Sequence, residues 1–353
     1  MVLLEPGDFA GEIRDLGIRT LTLPGGRLRN PAHVFRTMAK LGRLLRRERP
    51  DLIVNWLSTA HLYAGPASLV AGMANRCVWW QHDLHGARIP ERARGRDRIG
   101  TYRGRVLDQL ATTIPASAVG CISEAVRFEQ SSRRPRRHSF VILNGIDEPT
   151  PVPGEDVHRL RREMGIPKDT TVVGLVGRLF AWKGHHLLLQ ALAEVMFGRK
   201  DVFGLFVGGG GHRANVGYTA YVARLTRDLG IEDRVLFTGQ VANTVPYMQA
   251  MDILVSASAP EPFGLVLLEA MALEVPVIAV DAGGPTEIIV NGESGLLVPS
   301  NRPEDLVPAI QALVSEPGWR RQLAVAGRAH YLERFTGERM TRDIERQLEA
   351  LTQ

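Results

Sequence analysis

Residues 252–272 constrain this chain most, because they read as a buried strand running through a Pro/Gly turn straight into a helix. Asp252 to Ser256 is the strand, with Ile253, Leu254 and Val255 as a continuous apolar run of the parallel-sheet kind. Pro262 and Gly264 punctuate the turn, and the helix is predicted to open near Gly264 and run through Met271. Such a junction offers the backbone N–H groups of Phe263, Gly264 and Leu265 to whatever lies beyond the strand. Those donors and the positive end of the helix dipole favour a phosphate. Glu261 just before the turn and Glu269 a little over two helical turns along flank one end of that site. Two carboxylates would repel a bare phosphate, but they accept hydrogen bonds from sugar hydroxyls, and a nucleotide sugar carries both groups. The plainer alternative is that acidic residues simply favour a helix amino terminus.

The rest of the chain supplies the frame. Before residue 149, strands are predicted at 18–23, 52–56, 76–80, 117–122 and 140–143, with helices at 33–47 and 60–73 between them. Pro149 to Pro153 reads as a joint. Beyond it strands at 172–176, 205–207, 235–237, 253–255, 277–280 and 295–298 alternate with helices at 184–196, 220–229, 245–250, 265–272 and 303–314. The expectation is an α/β chain of two doubly wound parallel-sheet domains, residues 1–148 and 149–336, facing a cleft. A final helix at 337–351 carries Met340, Ile344, Leu348 and Leu351 at helical spacing.

Other candidate residues lie at strand exits, where open α/β sheets bind ligands. Gly177-Arg178 and Lys183-Gly184 follow the strand at 172–176 and offer two cations to a leaving diphosphate. Gly208 and Gly209, within the run 208–211, permit close backbone approach, although a Gly-rich turn alone is a weak signal. His82 and Asp83 leave the strand at 76–80, with a satisfied structural histidine as the rival reading of His82. Asp281, Gly283, Gly284 and Glu287 stand between a site role and an ordinary turn and helix cap.

Composition enters mainly to exclude. No apolar run is long enough to span a bilayer and residues 1–20 do not resemble a signal peptide. Cys77 and Cys121 have no metal-ligand spacing and suit buried, reduced thiols, so a cytoplasmic chain is expected. A net charge of +5 does not argue for nucleic acid. Arginines crowd Arg88 to Arg105, with a second cluster at Arg133 to His138. Either a solvated loop or a peripheral contact with anionic lipid headgroups, or with a phosphorylated acceptor, would account for them.

These residues together resemble the family 4 retaining glycosyltransferases, whose GT-B fold joins two Rossmann-like domains. The resemblance covers nearly all of residues 140–335, through Gly177-Arg178 with Lys183-Gly184, Glu261-Pro262-Phe263-Gly264 with Glu269-Ala270-Met271-Ala272, Pro276 to Ala279, and Gly283-Gly284 with Glu287. Asn144-Gly145-Ile146-Asp147 looks like the family's interdomain motif; in the first half the likeness is thinner, chiefly His82-Asp83 and Ser123 to Arg127. By resemblance, Arg178 and Lys183 hold the donor diphosphate, Glu269 the ribose, and Glu261 the transferred sugar, while His82 contacts that sugar from the other domain. The family retains anomeric configuration and uses no metal or other cofactor, which agrees with the lack of an Asp-x-Asp motif in the second half. Its acceptors are saccharides or lipid-linked molecules of polysaccharide and glycolipid synthesis, and its last helix, here 337–353, crosses back to the first domain. A sugar-nucleotide epimerase of the same architecture and a non-catalytic nucleotide-sugar binder are the alternatives.

Two departures stand out. Glu274 takes a place where the family often has Gly, a helix-end change expected to be tolerated. At the start, Val2 to Leu4 looks like the family's second strand rather than its first. The expectation is that the natural chain begins upstream, the alternative being that this strand slips into the central place.

Overall fold

The computed structural model describes residues 1–4, 9–25, 30–84, 106–107, 109–133, 137–210 and 216–353. In its first half, β1 (Val2–Leu3), α1 (Phe9–Asp15), β2 (Leu21–Thr22), α2 (Pro31–Glu48), β3 (Ile53–Trp56) and α3 (Leu57–Val70) precede β4 (Cys77–Gln81), β5 (Ala118–Cys121), α4 (Glu124–Arg133) and β6 (Ser139–Val141). The second half contains α5 (Gly154–Glu163), β7 (Thr171–Val176), α6 (His185–Val195), β8 (Val202–Val207), α7 (Val216–Asp228), β9 (Val235–Phe237), α8 (Val245–Gln249) and β10 (Ile253–Ser256). It continues through α9 (Leu265–Ala272), β11 (Val277–Val280), α10 (Pro285–Ile288), β12 (Leu296–Val298), α11 (Pro303–Ser315), α12 (Pro317–Arg334) and α13 (Gly337–Ala350).

The second sheet is wholly parallel, in the order β12-β11-β10-β7-β8-β9. Its strands β8, β10 and β11 are buried along their whole length, as expected of apolar runs covered by helices on both faces. The strand order reverses between β7 and β10, so the chain leaves these two neighbours toward opposite faces and opens a crevice at their carboxyl ends. The first-half sheet, β3-β4-β5-β6, is also parallel. The predicted doubly wound α/β pair is therefore the fold observed.

The amino-terminal strand does not slip into a central place. Val2–Leu3 pairs with Leu21–Thr22 in a separate two-stranded parallel sheet, and among the described residues neither strand bonds to β3. On β3 the residues alternate, Ile53 and Asn55 buried and Val54 and Trp56 exposed, which is the pattern of a strand covered on one face.

The two halves meet through backbone and packing. Ile146 N–H donates to Phe335 O at 3.0 Å and Gly337 N–H to Ile146 O at 2.7 Å. A Cβ on Gly145 would lie 2.2 Å from the Thr336 oxygen, so only glycine fits there. Met340, Ile344, Leu348 and Leu351 of the last helix pack on a core cluster that draws on both sheets, and Arg339 donates to the Leu143 carbonyl at 2.6 Å. No helix among the described residues is long and apolar enough to cross a membrane.

Candidate active site

The loop leaving β7 and the turn leaving β10 converge at the crevice. Between Ala181 and Lys183 the chain makes one 3₁₀ turn, and Gly184, at φ 77°, lets it enter α6. A Cβ at 184 would stand 2.5 Å from the Ala257 carbonyl oxygen, so the missing side chain is what lets this loop lie against the exit of β10. Lys183 Nζ then donates to the Glu261 carboxylate at 2.7 Å, with Glu261 only 7% exposed. The same ammonium sits 4.2 Å from the Trp182 ring, and the Arg178 guanidinium 4.8 Å from the Phe180 ring. Gly208 and Gly209, both half-buried, lie against this loop. Gly209 O accepts from Leu179 N–H at 3.1 Å, and a Cβ on Gly208 would meet Gly177 O at 2.3 Å.

At the turn, Gly264 opens α9 at φ 108° with no side-chain cap, so the first N–H groups of the helix have no partner inside it and none from a cap. Gly284 N–H donates to Glu261 O at 2.8 Å, and a Cβ on Gly284 would lie 2.2 Å from Phe263 Cα. The turn is thus clamped onto the start of α10. Glu269 is the polar position on a helix whose Leu267, Leu268, Ala270, Met271 and Ala272 are buried. Burial alone raises its carboxyl above the usual range, with no cation among the described residues to offset it.

In the first half, His82 follows β4 and packs 4.5 Å from the half-exposed Trp56 ring, which itself stacks on Trp80 at 5.5 Å. Its Nε2 is buried without a hydrogen-bond partner, and burial pulls its pKa down to about 4, Asp83 opposing weakly. The ring is therefore neutral near pH 7, with one nitrogen able to accept and one to donate.

Among the described residues, three hydrogen bonds join the two sides here. Ser123 Oγ donates to Pro262 O at 2.8 Å, and the Glu287 carboxylate accepts from Glu124 N–H at 2.8 Å and from Ala125 N–H at 3.0 Å. Burial raises the Glu287 pKa while those two N–H groups pull it back. Because β4 and β5 pair with Gln81 opposite Cys121, the strand end bearing His82 lies beside the one that leads to Ser123. Sequence reasoning leaves Glu287 between a site role and an ordinary helix cap; it is a cap, but for a helix of the other domain. Trp56 is the residue that reasoning misses, its signal being an aromatic at the end of a predicted strand. Arg88 to Arg105 lie outside the described residues. In the second basic cluster, Arg133 pairs with Glu129 at 2.5 Å and Arg137 donates to Ile114 O at 2.8 Å.

Two parallel α/β sheets with cations and acids gathered at their facing strand exits define a GT-B protein. Residues 156–330 match the family described as Glycosyl transferases group 1 and residues 2–148 match Glycosyltransferase Family 4. The chain belongs to this family. It is 33% identical over 181 residues to the lipopolysaccharide core biosynthesis glycosyltransferase LpsE of Rhizobium meliloti, covering 51% of this chain and 50% of that protein. It is 36% identical over 195 residues to the D-inositol 3-phosphate glycosyltransferase of Corynebacterium aurimucosum, covering 54% and 46%. The aligned stretch spans about half the length of these relatives. Among solved structures, Anabaena Alr3699/HepE in complex with UDP and glucose superposes with a TM-score of 0.82 at 26% identity, covering 99% of this chain and 91% of that one. The same protein is also known in complex with UDP-glucose.

Proposed function

We propose that this chain transfers a sugar from a nucleotide-diphosphate sugar to a saccharide or lipid-linked acceptor, retaining configuration and using no metal. The carrying observation is the Lys183–Glu261 contact of 2.7 Å at the crevice between β7 and β10. It joins a cation suited to phosphate with an acid suited to sugar hydroxyls. UDP and glucose in the Anabaena structure support the donor class. The names of the relatives support an acceptor from glycoconjugate synthesis.

In this reading Lys183 exchanges Glu261 for the donor diphosphate and, with Arg178, offsets the charge that grows on the leaving group. Glu261, freed, accepts from hydroxyls of the transferred sugar. The N–H groups of Phe263, Gly264 and Leu265 face sugar or phosphate, and Glu269 takes the ribose hydroxyls. Neutral His82 meets the reacting sugar from the opposite domain, with Asp83 beside it on the acceptor side. Same-face displacement through an oxocarbenium-like state follows, the leaving phosphate assisting loss of the acceptor proton. Arg88 to Arg105 is the segment through which a peripheral contact with anionic lipid would be made.

The test is hydrolysis of a nucleotide-sugar panel, UDP-glucose included, with mass spectrometry of products formed on candidate acceptors. Lys183→Ala lowers turnover about 10²-fold or more, because the leaving-group charge goes unscreened. Unchanged kinetics in that variant would remove Lys183 from the site. Conversion of donor to an epimer without acceptor would move the chain to the epimerases.

A further inference from the structure

Glu287 belongs to neither group of side chains assigned above to donor or acceptor, yet it makes two of the three bonds that join the sides of the crevice. Its carboxylate takes the N–H groups of Glu124 and Ala125, which open α4 and have no acceptor inside that helix. A carboxylate there also meets the positive end of the α4 dipole. The acid is itself rigidly tied to the second domain. It lies in α10, whose preceding Gly284 donates to Glu261 O at 2.8 Å, and Gly283 bridges to Glu261 in parallel. From α4 the connection is equally short, since β5 pairs with β4 immediately before His82. Ser123, fully buried, adds its own bond to Pro262 O while its Oγ accepts from Val126 N–H at 3.2 Å, so one hydroxyl caps α4 and holds the turn.

We propose that Glu287 is a positioning residue whose carboxylate clasps the amino end of α4 and so holds the Glu261 turn in register with the strand end that carries His82. The clasp touches no substrate. It fixes how far apart the two halves of the site stand, a distance on which a displacement between domains depends steeply. The activity readout rests on the transferase reading above; the distance readout does not.

The donor side of the clasp can be deleted without altering the second domain. Glu124 occupies the first helical position, where proline is tolerated, so Glu124→Pro removes one N–H and leaves α4 intact. With the full chain and UDP-glucose as probe, Glu124→Pro lowers kcat about tenfold, the scale of one hydrogen bond to a charged group, and Glu287→Ala, which loses both bonds, lowers it further, with the Kd for UDP unchanged in each. The double variant is no slower than Glu287→Ala alone, because the bond lost in Glu124→Pro is one of the two that Glu287→Ala already removes. Glu287→Gln, which keeps one acceptor oxygen, falls between Ala and the natural residue. Dyes on Leu69→Cys and Phe197→Cys, both exposed and in different domains, report separation, and Glu287→Ala lowers energy transfer between them. Additive losses in the double variant, a raised Kd for UDP, or unaltered energy transfer would each overturn the clasp. If the natural chain does not turn over UDP-glucose, the transferase reading loses that donor, and the energy-transfer comparison alone decides the clasp.

Discussion

A carboxyl buried without a cation weakens a fold, and Glu269 is placed that way. Its raised pKa means that the folded chain favours the protonated acid. That contribution is complete below the ordinary value of 4.5 and is lost as pH rises through the folded value, so charging the group is a burden on the fold. Glu269→Gln keeps the shape and removes the charge. It is expected to raise Tm in the absence of nucleotide while weakening UDP binding about tenfold, since a charge-assisted bond to ribose becomes a neutral one. Scanning calorimetry and titration calorimetry check the two halves separately; a lowered Tm would mean that an unseen partner offsets the charge. At this scale the Lys183–Glu261 contact is legible, because both residues follow strands that short apolar runs mark out. The partner of Glu287 is not legible: it lies 162 and 163 residues away and is backbone N–H, which has no side-chain signature.

Among elements, α9 carries a strain that a single residue can relieve. Glu274, two residues beyond the helix, adopts φ 56°, a left-handed conformation that disfavours any side chain. Arg328 compensates in part, approaching the Glu274 carboxylate at 3.5 Å and donating to the Ala272 carbonyl. Glu274→Gly is expected to stabilise the protein by about 1 kcal/mol, because glycine is at ease at a helix carboxyl end and the half-exposed ion pair contributes little. Chemical denaturation measures it, and a destabilised variant would mean that the Arg328 contact outweighs the strain. Strand positions are well legible here, from β3 to β12, since each is a compact apolar run. Helix α12 is not. It opens on Pro317-Gly318 and contains Gly327, residues that read as breaks. Proline is nonetheless tolerated at a first helical turn, and Gly327 is needed where its Cβ would sit 3.0 Å from the Ser294 carbonyl oxygen.

For the molecule as a whole, the joint at 144–147 is marked in the sequence by Asn-Gly-Ile-Asp, but which segment closes on it is not, since the contacts come from residues 335–340. Acid stability is likewise a property of the whole chain. His61 stacks on Trp79 and His82 packs on Trp56 within the first domain, and His185 opens α6 in the second. Burial pulls each of the three from 6.5 down to about 4. The folded chain therefore keeps these rings neutral in a range where the unfolded chain protonates them. Their contribution is intact above pH 6.5 and is lost as pH falls toward 4. Raised carboxyl values at Glu269 and Glu287 act in the opposite sense, but only as pH rises above 4.5. Three histidines outweigh two acids at pH 5.5, so unfolding there takes up protons and Tm drops between pH 7 and 5. Calorimetry at pH 5.5 in two buffers of different ionisation enthalpy measures that uptake. Net proton release on unfolding would show that at least one of these rings is charged in the native chain.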